Sequence, residues 1–357
     1  AITFTRKAKR QMIQRLLELG IENCIVETFN SFCEKFLRQN SMEIYGRFKK
    51  VMSYGDKILA MQMAFENLNI DLEQSINKYF SKAQKRSKSK ENLFNILMND
   101  CFFILDYFKS KDIDFYDFSK EAQDKNKDSA KMIYNLCSYL KEHIDIQGFR
   151  SYNDQVLDTI NYLKQHKNKI PDFEHVLVDE YQDVNSKQIE LIKLLDKNDQ
   201  KSLFCVGDPR QSIFGWRGSD IKYILKFKKD YLNSEIITLT KNYRSNSNIV
   251  DIMNLSIKDM KLPNLEHTIQ DITKPFLHNF ETELEESHFV VDKIKNSEIP
   301  KHEIFVLART NKQLNDFSNI LRQQGINFVI RSDELNPKKQ SLNKKDHVVL
   351  ATIHAIK

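Results

Sequence analysis

The chain has 357 residues, 41% hydrophobic and 29% charged, which sets aside a disordered or fibrous protein and leaves room for two or three globular domains. No apolar run approaches the roughly 20 residues of a membrane span, and five cysteines scattered at positions 24, 33, 101, 137 and 205 argue against a zinc site or a disulfide scaffold and suit a reducing compartment. The net charge of +6, from 55 Lys and Arg against 49 Asp and Glu, is compatible with nucleic-acid binding and does not by itself indicate it.

Eight glycines and six prolines are few for this length and favour a helix-rich architecture. Ala1-Ile2-Thr3-Phe4 reads as a buried strand, and Thr5 stands where it can cap a helix bearing Ala8, Met12, Leu16 and Leu17. Ile25 and Val26 then precede Thr28-Phe29-Asn30-Ser31, which opens a second helix with Phe32, Phe36 and Leu37. Residues 46–150 change character. They are helical, rich in Lys, Phe and Met, without short apolar strands, and are expected to form an inserted helical subdomain. Within it Lys82 to Lys90 is a basic run, with no acid between Glu73 and Glu91; a solvated loop and a nucleic-acid contact both remain open for it.

From His175 strands and helices alternate: strand 175–179, helix 186–195, strand 203–207, helix 219–228 and strand 235–239. Helix 245–258, strand 303–308, helix 311–324 and strands 326–330 and 348–353 follow. That order predicts an α/β protein of two parallel sheets, helices on both faces, with the helical insertion in the first. The chain begins and stops inside strand-like runs and carries no signal peptide, so it reads as an internal piece of a longer protein.

Two segments carry chemistry. Val176-Leu177-Val178-Asp179-Glu180 is a strand that ends in adjacent carboxylates, at the edge where open α/β sheets bind ligands. One carboxylate can hold Mg²⁺ on a nucleotide while its neighbour takes a proton from water; a solvated acidic pair is the alternative. Further on, Leu203 to Asp220 reads LFCVGDPRQSIFGWRGSD and holds three of the eight glycines and the only tryptophan. Gln211 there is placed to bond a terminal phosphate. Phe214, Trp216 and Arg217 in the loop after it offer base stacking and charge; burial of Phe214 and Trp216 in a core is the alternative. Thr240 to Ser245 leads to the next helix, with Ser245 as its expected N-cap, and Arg244 could act as an arginine finger or as a structural ion-pair partner.

These motifs, in this order, resemble the UvrD/Rep/PcrA family of superfamily 1 DNA helicases over nearly the whole chain. Thr3 to Ala8 is similar to the family's motif Ia, Glu27 to Phe32 to motif Ic, and Asp179-Glu180-Tyr181-Gln182-Asp183 to motif II. Gly207 to Gly218 is similar to motif III, Asn242 to Ser245 to motif IV, and Thr352-Ile353-His354 to the start of motif V. The resemblance implies two RecA-like domains: 1A over 1–45 and 151–240, with 1B inserted over 46–150, and 2A over 241–357. It implies ATP and Mg²⁺ as cofactors, Asp179 on the metal, Glu180 as general base, Gln211 and Arg244 at the γ-phosphate and Tyr243 stacked on adenine. Phe4, Thr5, Thr28, Asn30, Phe214, Trp216, Arg217, Thr352 and His354 would line a single-stranded DNA track. The implied activity is 3′→5′ translocation and unwinding at single-strand/duplex junctions, in a cytoplasmic or other intracellular DNA compartment, with no membrane.

The chain departs from the family in four ways. It contains no G-x-x-x-x-G-K-[ST]. Motif V stops at Lys357 and motif VI is absent. Arg331 to Asp346 stands where relatives insert subdomain 2B, which is therefore expected to be missing. Asn30 replaces a common His and Arg6 a common Asn, and both can still bond phosphate or base. The competing readings are an ATPase that remodels protein–DNA complexes without unwinding, a non-catalytic DNA-binding piece, and a nuclease-fused RecB-like relative.

Overall fold

Phe29, Cys33, Phe36 and Leu37 recur at the spacing of one helix face, and all four are buried on the helix Phe29–Gln39. Thr28 and Ser31 close a capping box at its start, which fixes where the helix begins. Leu37 is fully buried, and truncating such a side chain to Ala costs about 2–5 kcal/mol. The structure, a computed structural model, describes residues 1–86, 88–111, 126–197, 202–271, 273–331 and 346–357, without the side chains of Ser110, Lys111 and Arg217. Its contacts divide the chain into two compact units, 1–212 with 218–231 and 213–217 with 232–357.

In the first unit β1 (Ile2–Thr3) pairs with β2 (Glu27–Thr28). A separate pair is formed by β3 (Lys50–Val51) and β4 (Phe149–Arg150). Then β5 (His175–Val178) and β6 (Ser202–Cys205) complete a four-stranded parallel sheet in the order β2-β1-β5-β6. Helices 29–39, 152–165 and 186–195 pack a core on one face, around Phe29, Leu37, Ile160, Leu163, Leu191 and Ile192. The strand read as buried, 175–179, is buried on that face alone. Val176 and Val178 point into the core, whereas Leu177 is 37% and Phe204 58% exposed on the other side. Likewise the Thr5-capped helix Arg6–Glu18 forms, but none of its residues is fully buried and Leu17 stays exposed.

Between β3 and β4 the described residues form five helices, from Tyr54–Asn67 to Lys127–Gln147, which enclose their own core of Met61, Leu97, Met98, Leu136 and Leu140. The two-residue strands, which no apolar run announced, pair Lys50 with Phe149 and Val51 with Arg150 where the chain leaves and returns. Arg150 is buried there and donates to Glu34 from Nη2 at 2.7 Å and from Nε at 3.1 Å.

In the second unit β7 (Lys241–Asn246) pairs in parallel with β8 (Glu266–Ile269). A three-stranded parallel sheet holds β9 (Phe305–Ala308), β10 (Phe328–Arg331) and β11 (Val348–Thr352) in the order β10-β11-β9. Its core joins Val348 and Leu350 to Val291, Ile294, Leu314, Phe317 and Leu321 of the two covering helices.

Three expectations shift. Residues 235–239 form no strand: Ile236, Ile237 and Leu239 are exposed, and the strand lies at 241–246, where β8 supplies the partner. The next helix is Ser247–Ser256, capped by Asn246 accepting from Ile249 N at 3.0 Å, because Ser245 is still in the strand. In the first unit the expected helix 219–228 is two short helices, Lys222–Leu225 and Phe227–Asp230. The expected absence of 2B falls on residues 332–345, outside those described.

Candidate nucleotide and nucleic-acid site

Adjacent parallel strands deliver the two chemical segments to one sheet edge. Val178 pairs with Cys205, Val206 N donates to Val178 O at 2.8 Å, and Tyr181 N donates to Val206 O at 2.9 Å. Asp179 is fixed by its amide, which donates to Ile2 O of β1 at 2.9 Å, and its Oδ1 accepts from Glu180 N at 3.0 Å. Glu180 has φ 54° and ψ 40°, a left-handed conformation uncommon for a residue with a side chain. It turns the chain out of the strand and into the turn Tyr181–Asp183.

The residues after Glu180 hold this bend. Tyr181 to Asp183 form a single 3₁₀ turn, and all three are buried. Burial and the neighbouring Tyr231 phenol push the Tyr181 hydroxyl well above the usual tyrosine range, and its ring packs edge-on against Phe227 at 5.3 Å. Gln182 is fully buried. Its Nε2 donates to Glu180 Oε2 at 2.5 Å, and its Oε1 accepts from Asp208 N at 2.9 Å. Sequence reasoning named neither job. The only signal was an uncharged amide inside an acidic run.

Past β6, Asp208 caps a 3₁₀ turn at Pro209–Gln211 and accepts from Arg210 N at 3.0 Å and from Gln211 Nε2 at 3.2 Å. Gln211 is exposed in this turn, which follows β6 as Asp179 and Glu180 follow the adjacent parallel β5. A hard-oxygen pair such as Asp179 and Glu180 suits Mg²⁺, which takes one or two protein carboxylates and completes its shell with phosphate and water. Among the described residues no cluster of three or more His, Cys, Asp or Glu could hold a metal by itself. A cavity of about 410 Å³ opens at the other end of the sheet, beside Ala1, Phe173 and His175, and touches none of these groups.

The residues proposed for DNA fall into two groups. In the first unit Phe4 packs edge-on against Phe29 at 5.4 Å. Thr5 and Thr28 spend their hydroxyls on helix caps, and Asn30 Nδ2 donates to Tyr152 O at 2.9 Å and Gln155 Oε1 at 2.8 Å. In the second unit Phe214 and Trp216 both meet His354, at 5.9 and 5.6 Å between ring centroids. Trp216 is 65% exposed and belongs to no buried cluster. Lys357 Nζ sits 5.1 Å from the Phe214 ring, and Thr352 caps the turn that carries His354, accepting from Ala355 N at 3.2 Å. The Arg217 side chain is not among those described. Tyr243 and Arg244 are exposed on β7, where Asn242 Oδ1 accepts from Arg244 N at 2.9 Å and Ser245 N at 2.8 Å.

Parallel sheets under helices, with acidic and glutamine side chains gathered at a carboxyl edge, define an α/β protein of the RecA-like class. The chain belongs to the UvrD/Rep helicase family: residues 1–232 match the UvrD/REP helicase N-terminal domain, and residues 237–336 match the UvrD-like helicase C-terminal domain. It is similar to the ATP-dependent DNA helicase PcrA of Staphylococcus aureus, 31% identical over 335 residues, which cover 88% of this chain and 41% of that protein. PcrA of Staphylococcus epidermidis is 31% identical over 330 residues, with the same shares of each chain. A probable DNA helicase II homolog of Mycoplasma capricolum is 29% identical over 358 residues, 92% of this chain and 45% of that protein. The chain thus spans less than half the length of these curated relatives.

Proposed function

We propose that the complete protein is an ATP-dependent DNA helicase, a motor that moves 3′→5′ along single-stranded DNA and opens single-strand/duplex junctions in an intracellular DNA compartment. The observation that carries this reading is the pairing of β5 with β6, which brings the turn after Asp179 and Glu180 beside the turn that carries Gln211, bridged by Asp208 N donating to Gln182 Oε1. Asp179 would hold Mg²⁺, which neutralises charge on phosphate oxygens. Glu180 takes the proton of the attacking water, Gln211 and Arg244 bond the terminal phosphate, and Tyr243 stacks on adenine. Phe214, Trp216 and His354 stack on bases, and Phe4, Thr5, Thr28, Asn30, Arg217 and Thr352 line the rest of the strand's path.

The 1–357 piece contains no G-x-x-x-x-G-K-[ST], so in isolation it binds DNA and does not turn over ATP, for want of a phosphate-cradling loop. Strand displacement on duplexes with a 3′ or a 5′ tail tests the reading in the complete protein. Unwinding of the 3′-tailed duplex alone, dependent on ATP and Mg²⁺, is the expected result. DNA-stimulated hydrolysis without displacement would favour a motor that remodels protein–DNA complexes, and 5′-tail preference would overturn the polarity.

A further inference from the structure

Gln182 is a side chain with two ends in use and no exposure. One end holds Glu180, two residues back; the other accepts from Asp208, 26 residues on, at the start of the turn that carries Gln211. The loop beyond that turn is tied to the same residues twice. Ser212 Oγ donates to Gln182 O at 3.2 Å before the loop, and Ser219 Oγ donates to Asp183 O at 2.6 Å after it. Asp220 N adds a bond to Val184 O at 3.2 Å. Between these two serines lie Phe214 and Trp216. These bonds tie both ends of the loop to the turn that bears the carboxylates, and the amide of Gln182 spans the two turns.

We infer that Gln182 is a positioning residue for hydrolysis, aiming the Glu180 carboxylate according to the place of the 208–219 loop. This rests on the reading of Glu180 as the general base. The amide suits the role chemically. It offers a donor to a carboxylate and an acceptor to a backbone N–H, without adding a charge beside Asp179 and Glu180. Neither Glu, which lacks the donor when ionised, nor Met, which lacks both groups, can do this at the same length. Carboxylate misplacement of about 1 Å at a reacting centre costs as much as 10²-fold in rate.

The test is a cycle of Q182M, E180Q and the double variant in the complete protein, read as kcat and KM for ATP with saturating single-stranded DNA, alongside melting temperature. Q182M is expected to lower kcat by about 10- to 100-fold with KM within about threefold, and to cause no further loss when added to E180Q, because the two act as one unit. If Q182M does not fold, Q182E keeps the length and the acceptor toward Asp208 and carries the same cycle. Unchanged kcat in the Gln182 variant, or an additional loss on top of E180Q, overturns the positioning role and leaves the base assignment standing. Unchanged hydrolysis in E180Q sinks the base assignment itself.

Discussion

A methyl group placed on Gly207 would stand 2.6 Å from Oε1 of Gln182. The same point lies 3.0 Å from Tyr181 N and 3.0 Å from Ile224 Cδ1. Gly207 has no left-handed backbone to satisfy, since it is not among the positive-φ glycines. It is glycine for lack of space: the Gln182 amide occupies the volume a side chain would need.

Gly207→Ala should therefore push the Gln182 carboxamide off Asp208 N. Overpacking of this kind costs about 1–3 kcal/mol. Chemical denaturation of residues 1–357 reads that loss directly. In the complete protein the expected companion is a fall in kcat larger than any change in KM. An alanine variant with wild-type stability and rate would mean that the turn opens freely and that the close approach has no consequence.

Glu180→Gln separates binding from chemistry. The substitution keeps volume and hydrogen bonding and removes the carboxylate proposed to accept the proton. Asp179 and Gln211 are untouched, so ATP should bind within a few-fold of wild type. Hydrolysis should fall by the roughly 10²–10⁴-fold typical of losing a general base. Equilibrium ATP binding beside kcat in the same variant decides it. A large loss of affinity with kcat preserved would make Glu180 a binding residue.

The parallel class and the chemical motifs were legible because each is local. Thr5 caps its helix as its spacing to the next apolar positions predicts, the helix expected to open at residues 28–31 starts there, and Asp179 and Glu180 follow an apolar strand directly. Strand partners are not local. Residues 235–239 carry the β-branched, apolar composition of a strand yet find no pairing, while the polar Lys241–Asn246 becomes β7 because β8 lies beside it. β3 and β4 are two residues each and carry no periodicity at all. Gln182 was hidden for the same reason: its second partner is 26 residues away, and nothing in the motif marks its side chain as buried.

Glu27 gives a prediction in pH. Its buried carboxylate is held by Lys9, Lys35 and Ser31. Burial alone would raise its pKa, but the hydrogen bonds from Lys35, Lys9 and Ser31 outweigh burial and hold it below the usual glutamate range. A carboxyl whose folded value is depressed stabilises the fold above its unfolded value of about 4.3 and loses that contribution as pH falls through the folded value. Glu27→Gln should thus be less stable than wild type at pH 7, by about 1–3 kcal/mol for hydrogen bonds to a charged group. The gap should close as pH drops below about 4. Urea midpoints at both pH values check this, and a gap that stays constant would assign the loss to packing instead.

Trp216→Ala tests the stacking role in isolation from chemistry. The indole is 65% exposed and rests edge-on against His354, so its removal opens no core. Stability should change by no more than about 0.5 kcal/mol, as at other exposed positions. Affinity for single-stranded DNA should fall by about 1–3 kcal/mol, the usual worth of one stacked base, and by similar amounts on mixed sequences, because every base offers a π-face. The salt dependence should keep its slope, since an indole neutralises no phosphate and releases no counterion. Trp216→Phe, which retains a ring, should recover most of the affinity. Fluorescence anisotropy on a labelled oligonucleotide, titrated at several salt concentrations, measures all three quantities. A flatter salt slope would mean that the variant has lost a phosphate contact through a disturbed neighbour. Unchanged affinity in a folded variant would remove Trp216 from the DNA path, and the ring pair with His354 would then be a packing contact within the second unit.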